Sequence, residues 1–113
     1  MRSQRLLEIR REVVEVLKRL AEETGATIYL FGSYARGDHM LDSDVDVVVV
    51  SQGFEHMDFL QRVEHVRRML PEHLGFDVIP LTPRELEEKA KRGFYRDISR
   101  YWIEIKPQGV SSR

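Results

Sequence analysis

The chain has 113 residues, 42% hydrophobic and 33% charged, a balance that suits one globular domain with a charged surface rather than a disordered chain. It contains no cysteine, which excludes disulfide frameworks, zinc–thiolate sites and thiol nucleophiles. Its formal net charge is −1, so its overall charge does not attract it to nucleic acid, and a small-molecule or protein partner is favoured over a nucleic acid.

The first half of the chain contains helix and strand patterns in turn. Residues 5–23 carry apolar side chains at spacings of three and four, which predicts an amphipathic helix that ends at Gly25. The β-branched and aromatic run 27–31 predicts a buried strand. Residues 36–43 are loop-like, and the valine-rich run 44–50 predicts a central strand that is covered on both faces.

The second half continues with the same kinds of element. An apolar stripe predicts a helix over 57–70, and residues 75–81 predict a third strand. Residues 82–85, Thr-Pro-Arg-Glu, have the pattern of an N-cap, a first-turn proline and a capping box, so another helix begins there. We expect the aromatic-rich residues 94–102 to be helical and residues 108–113 to be a frayed tail.

These elements predict the fold class. Their order is helix, strand, strand, helix, strand, helix, helix, which favours an α+β fold with one small mixed, twisted sheet and helices packed against it. We expect a single domain over residues 1–107, followed by the flexible tail 108–113. No stretch is apolar for the roughly 18 residues that span a bilayer, and the first residues lack the apolar region of a secretory signal. The sequence therefore predicts a cytoplasmic protein.

Two carboxylates stand at the start of the valine-rich strand. Asp44 and Asp46 are two residues apart, so in a strand their side chains point to the same face. Two neighbouring, partly desolvated carboxylates repel each other, and a hard divalent cation relieves that cost. Magnesium prefers one or two carboxylates together with waters and substrate phosphates. The alternative is a solvated strand start with no ligand.

A glycine–serine pair follows the first predicted strand directly. Gly32 permits close backbone approach to a ligand, and a helical turn over 34–36 would direct free N–H groups toward a phosphate. The Ser33 hydroxyl adds a hydrogen-bond donor, and Arg36 adds positive charge one turn later. For Arg36, an ordinary surface arginine is the alternative.

A third carboxylate lies inside the last predicted strand. Asp77 stands alone among apolar residues in 75–81. If that strand lies beside residues 44–50, Asp77 faces Asp44 and Asp46, and three carboxylates flank a phosphate-binding turn. Such a geometry suits two-metal phosphoryl chemistry. The alternative is an edge-exposed carboxylate without a ligand.

Histidines and aromatic residues receive no catalytic role from the sequence. His39 and the other three histidines lack metal-ligand spacing, so we interpret them as surface or structural residues. The aromatic residues of 94–102 are more often core or interface than a base-stacking platform. They are Phe94, Tyr95, Tyr101 and Trp102, and we expect them to be buried in the core or against a partner.

The spacing of these residues resembles a known signature. Residues 32–46 contain Gly-Ser, ten further residues (34–43) and Asp-x-Asp, which resembles the signature of the DNA polymerase β-like nucleotidyltransferase superfamily. The later hydrophobic-Asp-hydrophobic strand of that superfamily is similar to residues 76–78. Chain length and element order resemble the minimal nucleotidyltransferase (MNT) domains of prokaryotes, from the first helix to about Leu81.

This resemblance implies a polymerase β palm-like fold and a role for each residue. Asp44 and Asp46 would hold two Mg²⁺ ions, and Asp77 would bind the catalytic ion and act as the base. Gly32 and Ser33 would hold the β- and γ-phosphates of the donor, with ATP the expected nucleoside triphosphate. An acceptor hydroxyl would then attack the α-phosphorus, and pyrophosphate would leave.

The resemblance also implies a partner. MNT domains are commonly paired with a helical HEPN protein, and some act as antitoxins that transfer AMP to a tyrosine of that protein, so we expect a HEPN-type acceptor. A second copy of the chain is a further candidate partner, as homo-oligomer. Two alternatives stay open: a catalytically silent antitoxin that neutralises its partner by contact alone, and nucleotidylation of an antibiotic or another small alcohol.

Overall fold

The computed structural model describes residues 3–112, without the side chains of Phe94 and Ser112. Its elements, in chain order, are α1 (Gln4–Thr24), β1 (Thr27–Phe31), α2 (Gly32–Arg36), β2 (Val45–Val50), a 3-10 turn (Gln52–His56), α3 (Phe59–Arg67), β3 (Phe76–Leu81), α4 (Pro83–Lys89), α5 (Gly93–Ile98), β4 (Ile103–Lys106) and β5 (Gly109–Ser112). Within residues 3–112, no helix is long and apolar enough to cross a membrane.

Five strands form one mixed sheet in the order β3-β2-β1-β4-β5. The β2–β3 pair is parallel, and the β1–β2, β1–β4 and β4–β5 pairs are antiparallel. A parallel pair needs a crossover connection, which the 3-10 turn and α3 provide between β2 and β3. The predicted α+β class with a small mixed sheet is confirmed.

Alternation along β2 gives the sheet two buried faces. Val45, Val47 and Val49 pack into the cluster that includes side chains of α1 and α3, so we name this side the α1 face. Val48 and Val50 pack on the opposite side with residues of α4 and α5, which we name the α5 face. All five valines are buried, as predicted for a strand covered on both faces. Each buried valine contributes about 1.5–3 kcal/mol of hydrophobic stabilisation.

The predicted helix ends are found at α1 and α4. Gly25 closes α1 in the left-handed region with φ 73°, and its N–H donates to the carbonyl of Ala21. Thr82 and Glu85 form the predicted capping box of α4. Arg62 of α3 also donates to Glu85 at 2.6 Å, and this hydrogen bond is the main reason why the pKa of Glu85 is lowered. α4 is thereby joined to α3.

α3 is shorter than predicted. The apolar stripe predicted a helix over 57–70, but α3 extends from Phe59 to Arg67. Asp58 is the N-cap, with its side chain accepting from the N–H of Gln61. A side chain that satisfies the first N–H groups fixes the point where a helix begins, so residue 57 lies outside it.

The end of the chain differs from the prediction. Helical structure in 94–102 ends at Ile98, and residues 109–112 form β5 although we expected 108–113 to be a frayed tail. β4 pairs with β1 and buries Ile105 completely in the α1 face. The sheet therefore continues beyond the boundary at 107, while Arg113 lies outside the described residues.

Candidate active site

The carboxylates lie on the α5 face, where its helical cover stops. Asp46 of β2 stands opposite Asp77 of the parallel strand β3, and opposite Phe31 of β1 on its other side. Directly opposite residues of paired strands project to the same face. Asp46 is half-buried, whereas Asp44 and Asp77 are exposed. Asp77 is an exposed carboxylate on an edge strand, as the alternative interpretation of this residue predicted. It nevertheless lies beside Asp46.

Mutual repulsion connects the three aspartates. The pKa of Asp46 is raised, first by its burial and then by the negative charges of Asp77 and Asp44, while Arg36 acts in the opposite direction. A carboxylate loses hydration on burial and is further disfavoured by like charges nearby. The structure thus brings together the three carboxylates that the sequence suggested, at a point where a cation would relieve an electrostatic cost.

The glycine of the Gly-Ser pair is in direct contact with this carboxylate group. Gly32 has φ 72°, and a Cβ atom at this position would collide with Oδ2 of Asp46. Glycine is the residue that adopts this backbone conformation without strain. A Cβ atom at Gly75, before β3, would lie 3.0 Å from Oδ1 of Asp44. Asp46 and Asp44 therefore pack against the backbone of glycines, at positions where a larger residue would collide with the carboxylate.

The serine and the arginine follow in the short helix α2. Ser33 is half-buried, and its carbonyl accepts the N–H of Gly37, which ends the helix. Within residues 3–112, no side chain caps the first N–H groups of α2. Arg36 forms an exposed ion pair with Asp38 at 3.2 Å and lines the same cleft as Ser33. Arg36 is thus a surface arginine that also faces the carboxylates.

Two clefts meet at Asp44. The first has a volume of about 620 Å³ and is lined by Phe31, Gly32, Ser33, Arg36, Ser43, Asp44, Asp46, Asp97, Ile98 and Tyr101. The second has a volume of about 470 Å³ and contains Asp44 and Asp77 together with Arg67 of α3. Both volumes are typical of small-molecule sites. Asp44 therefore lines both clefts, and the first cleft also contains the Gly-Ser turn.

A family comparison identifies the domain. The sequence model described as "Nucleotidyltransferase domain" matches residues 10–105. This chain belongs to the nucleotidyltransferase domain family. Its mixed sheet and helices have the polymerase β-like fold of that family.

Two relatives illustrate the range of the nucleotidyltransferase family. The chain is 26% identical over 102 residues, 83% of this chain and 99% of the relative, to a protein of Methanocaldococcus jannaschii named "putative protein adenylyltransferase". It is also similar to the crystal structure of a "putative nucleotidyltransferase" from Sulfolobus solfataricus, with a TM-score of 0.60 and 27% identity. That match covers 77% of this chain and 82% of the other.

The donor atoms of this nucleotidyltransferase domain suit a hard cation that brings other ligands with it. Within residues 3–112, no group of three or more His, Cys, Asp or Glu side chains is arranged to hold a metal ion by itself. Magnesium is usually held by one or two carboxylates, with waters and substrate phosphates completing its shell. Asp44 and Asp46, beside the Gly-Ser turn, fit that kind of site.

Helix α1 supports the Gly-Ser turn, and this support was not predicted. Nε of Arg10 donates to the carbonyl of Tyr34 at 2.7 Å, and a second guanidinium nitrogen reaches the carbonyl of Ala35 at 3.4 Å. The buried ring of His39 stacks on Tyr34 at 4.3 Å, and its Nε2 lies 2.8 Å from the carbonyl of Leu6. His39 is thus structural, one of the two roles that we considered.

The C-terminal aromatic residues divide between core and cleft. Tyr95 is buried on the α5 face, and Trp102 stacks on Tyr29 at 4.2 Å. Tyr101 is 57% exposed and lines the first cleft, together with Asp97. The side chain of Phe94 lies outside the described residues. The aromatic residues of 94–102 were the feature of the sequence that could have indicated a wall of the cleft. The sequence does not show which of these rings faces the site.

Proposed function

We propose that this nucleotidyltransferase moves AMP from ATP to a hydroxyl group of a partner protein, a tyrosine of a HEPN-type helical protein. The observation that carries the proposal is the contact between Gly32 and the carboxylate of Asp46. It makes a phosphate-binding turn and a carboxylate pair neighbours in one cleft. We also propose a cytoplasmic location, where ATP and such a partner would meet.

Each carboxylate has its own part in this proposal. Asp44 and Asp46 would hold two Mg²⁺ ions, and Asp77 would also hold the catalytic one. When bound, the two ions supply neutralisation of the phosphate charge and stabilisation of the attacking and leaving oxygens. The carboxylate of Asp77 accepts the proton of the acceptor hydroxyl. Its exposure suits a base whose partner group arrives from solution.

The other polar residues orient the triphosphate. Backbone N–H groups at Gly32 and the hydroxyl of Ser33 bind the β- and γ-phosphates, and Arg36 adds positive charge. The acceptor oxygen forms a new bond to the α-phosphorus in line, and the bond from that phosphorus to pyrophosphate breaks. The proton of the acceptor hydroxyl moves to Asp77, and pyrophosphate leaves with the electrons of the broken bond.

The second cleft supports an acceptor that comes from another protein. It contains Asp77 and Asp44 but not the Gly-Ser turn. A side chain that enters it would reach the aspartates without occupying the first cleft, where the nucleotide binds. The name of the Methanocaldococcus jannaschii relative, a protein adenylyltransferase, agrees with a protein acceptor.

A contact-only antitoxin is the second candidate function. It is favoured by large apolar side chains that are exposed on the surface, away from the carboxylates. Exposed apolar side chains such as Phe59 and Leu60 would then serve in a neutralising contact. Binding without chemistry would need neither Mg²⁺ nor ATP.

One experiment separates the two functions. The protein is incubated with labelled ATP and Mg²⁺, alone and with a HEPN-type helical protein, and both chains are weighed by mass spectrometry. We expect the partner to gain the mass of one AMP, and Asp44→Asn to abolish that gain. Asp58→Asn is the matched control, because Asp58 is an N-cap in α3 and asparagine caps a helix equally well. A stable complex with no added mass would favour the contact-only antitoxin.

A further inference from the structure

We propose that Tyr101 is the platform on which the nucleobase stacks, with Ile98 as its apolar neighbour in the first cleft. This inference rests on the proposed function, since it assumes that the cleft binds a nucleoside triphosphate. It goes further by assigning the end of the cleft that no phosphate or metal role explains.

The lining of the first cleft is divided by chemistry. Residues 31–46 supply one part of the lining, with the polar or charged side chains of Ser33, Arg36 and the aspartates, and with Phe31 opposite Asp46. Residues 97–101 supply the other part, which contains Ile98 and Tyr101 together with Asp97. A nucleoside triphosphate has the same division, with an anionic chain at one end and a flat aromatic base at the other. The polar residues suit the phosphates and their cations, so the aromatic residues are left for the base.

Tyr101 differs from its aromatic neighbours in exposure. Its ring is 57% exposed, whereas Tyr95 is 7% exposed and belongs to the α5-face core. Trp102, the next residue, is stacked on Tyr29 with ring centroids 4.2 Å apart. A large exposed ring beside a cleft is stabilised when another flat apolar surface covers it, and base–aromatic stacking has this effect for any base.

The backbone of Tyr101 is positioned by its neighbours in the chain. Its N–H donates to the carbonyl of Ile98 at 3.4 Å, so the residue continues from the end of α5. Two residues later, Ile103 enters β4 and pairs with Leu30 of β1. The backbone of Tyr101 thus lies between a helix and an interior strand pair, so a base that stacks on the ring has mainly the side chain to order.

Charge at this end of the cleft also favours the base over the phosphates. Asp97 of α5 lines the cleft with Ile98 and Tyr101. Its carboxylate can accept a hydrogen bond from the amino group of an adenine base. No basic side chain lies among residues 97, 98 and 101 of the lining, whereas Arg36 lies near Asp46 at the other end, so positive charge for a phosphate is found only at the Gly-Ser end.

The test compares two ligands and three variants by isothermal titration calorimetry in the presence of Mg²⁺. ATP carries a base and inorganic tripolyphosphate does not. We expect Tyr101→Ala to weaken ATP binding by roughly 5- to 100-fold and to leave tripolyphosphate binding within twofold. Tyr101→Phe keeps the ring, so it should bind ATP like the wild type. Phe59→Ala, which removes an aromatic side chain that is 63% exposed and does not line this cleft, is the control and should change neither affinity.

Each result has a definite meaning. If Tyr101→Ala binds ATP as tightly as the wild type, or loses affinity for both ligands equally, the base platform is overturned while the phosphate site stands. If Tyr101→Phe loses as much as Tyr101→Ala, the hydroxyl rather than the ring is responsible, and the stacking proposal is also overturned. If the wild type binds neither ligand, the proposed function fails and this inference fails with it.

Discussion

The two faces of the sheet are covered to different extents, and the difference separates stability from chemistry. On the α1 face, Ile28, Leu30 and Val47 are completely buried under α1 and α3. On the α5 face, Val48 is completely buried, but Phe31 is only half-buried and Asp46 lies beside it at the limit of the cover. A close-packed face holds the strands in register, and the incompletely covered face leaves room for a ligand.

The largest expected effect is on the α5 face. Asp46→Asn should lower nucleotidyl transfer by about 10²- to 10³-fold, since it removes a charge that, in the function we propose, holds cations near the phosphates. The free energy of unfolding should stay the same or rise, because Asp46 is repelled by Asp77 and Asp44. Single-turnover kinetics and urea unfolding measure the two quantities. A large loss of stability would contradict this separation of the two faces.

On the α1 face, we expect the opposite result. Leu17 is completely buried in α1, and Leu17→Ala should reduce the free energy of unfolding by about 2–5 kcal/mol through lost burial and the cavity that remains. Well below the midpoint of its urea transition, the variant should keep a transfer rate close to that of the wild type. Transfer that falls more than the folded fraction would show that the α1 face also controls the reaction.

Gly32 belongs to the Gly-Ser turn and lies against Asp46, so its replacement should reduce both stability and ATP binding. Gly32→Ala places a methyl group at φ 72° against Oδ2 of Asp46, so we expect about 1–3 kcal/mol of strain and a loss of ATP binding. Gly25→Ala is the matched control, because Gly25 has φ 73° with nothing within 4 Å of a Cβ atom. The control should lose stability but bind ATP normally. Equal ATP affinities in the two variants would contradict a ligand role for the turn.

The smallest effect concerns the joint between α3 and α4. Hydrogen bonds from Arg62 and from the backbone of Thr82 lower the pKa of Glu85 below its usual value of 4.5. A lowered folded-state pKa adds stability that is complete above the unfolded pKa and is lost as pH falls through the folded pKa. Because Glu85 is 39% exposed, we expect Glu85→Gln to cost at most about 1 kcal/mol at pH 7.

Urea unfolding at several pH values tests this pH dependence. The difference between the wild type and Glu85→Gln should shrink as the pH falls below 4.5 and disappear once Glu85 is protonated in the folded state. Glu88→Gln, at a position of the same helix with an exposed side chain, is the control and should follow the wild type. A constant difference between the wild type and Glu85→Gln at all pH values would exclude the ionised carboxylate as the cause.

Local patterns in the sequence were sufficient for much of the fold. The helix over 5–23, the strand 27–31 and the valine strand were predicted within a residue or so, because apolar periodicity and β-branched runs report burial directly. The capping box at Thr82 and Glu85 was predicted for the same reason, since its hydrogen bonds join residues three apart in the chain. The Gly-Ser and Asp-x-Asp spacing also predicted which residues to seek in the site.

Only the tertiary structure decided the remaining features. Strands β4 and β5 are four residues each, too short for a clear pattern, and β4 is stabilised by pairing with β1, which lies more than 70 residues earlier in the chain. The same long-range packing sets Asp77 opposite Asp46 and brings Arg10 to the carbonyls of α2. It also turns Tyr101, but not Tyr95, toward the cleft. The sequence by itself predicted the Gly-Ser and Asp-x-Asp residues of the candidate site, because their spacing is local. The residues that surround the candidate site were decided by contacts between distant segments of the chain, which a local sequence pattern cannot predict.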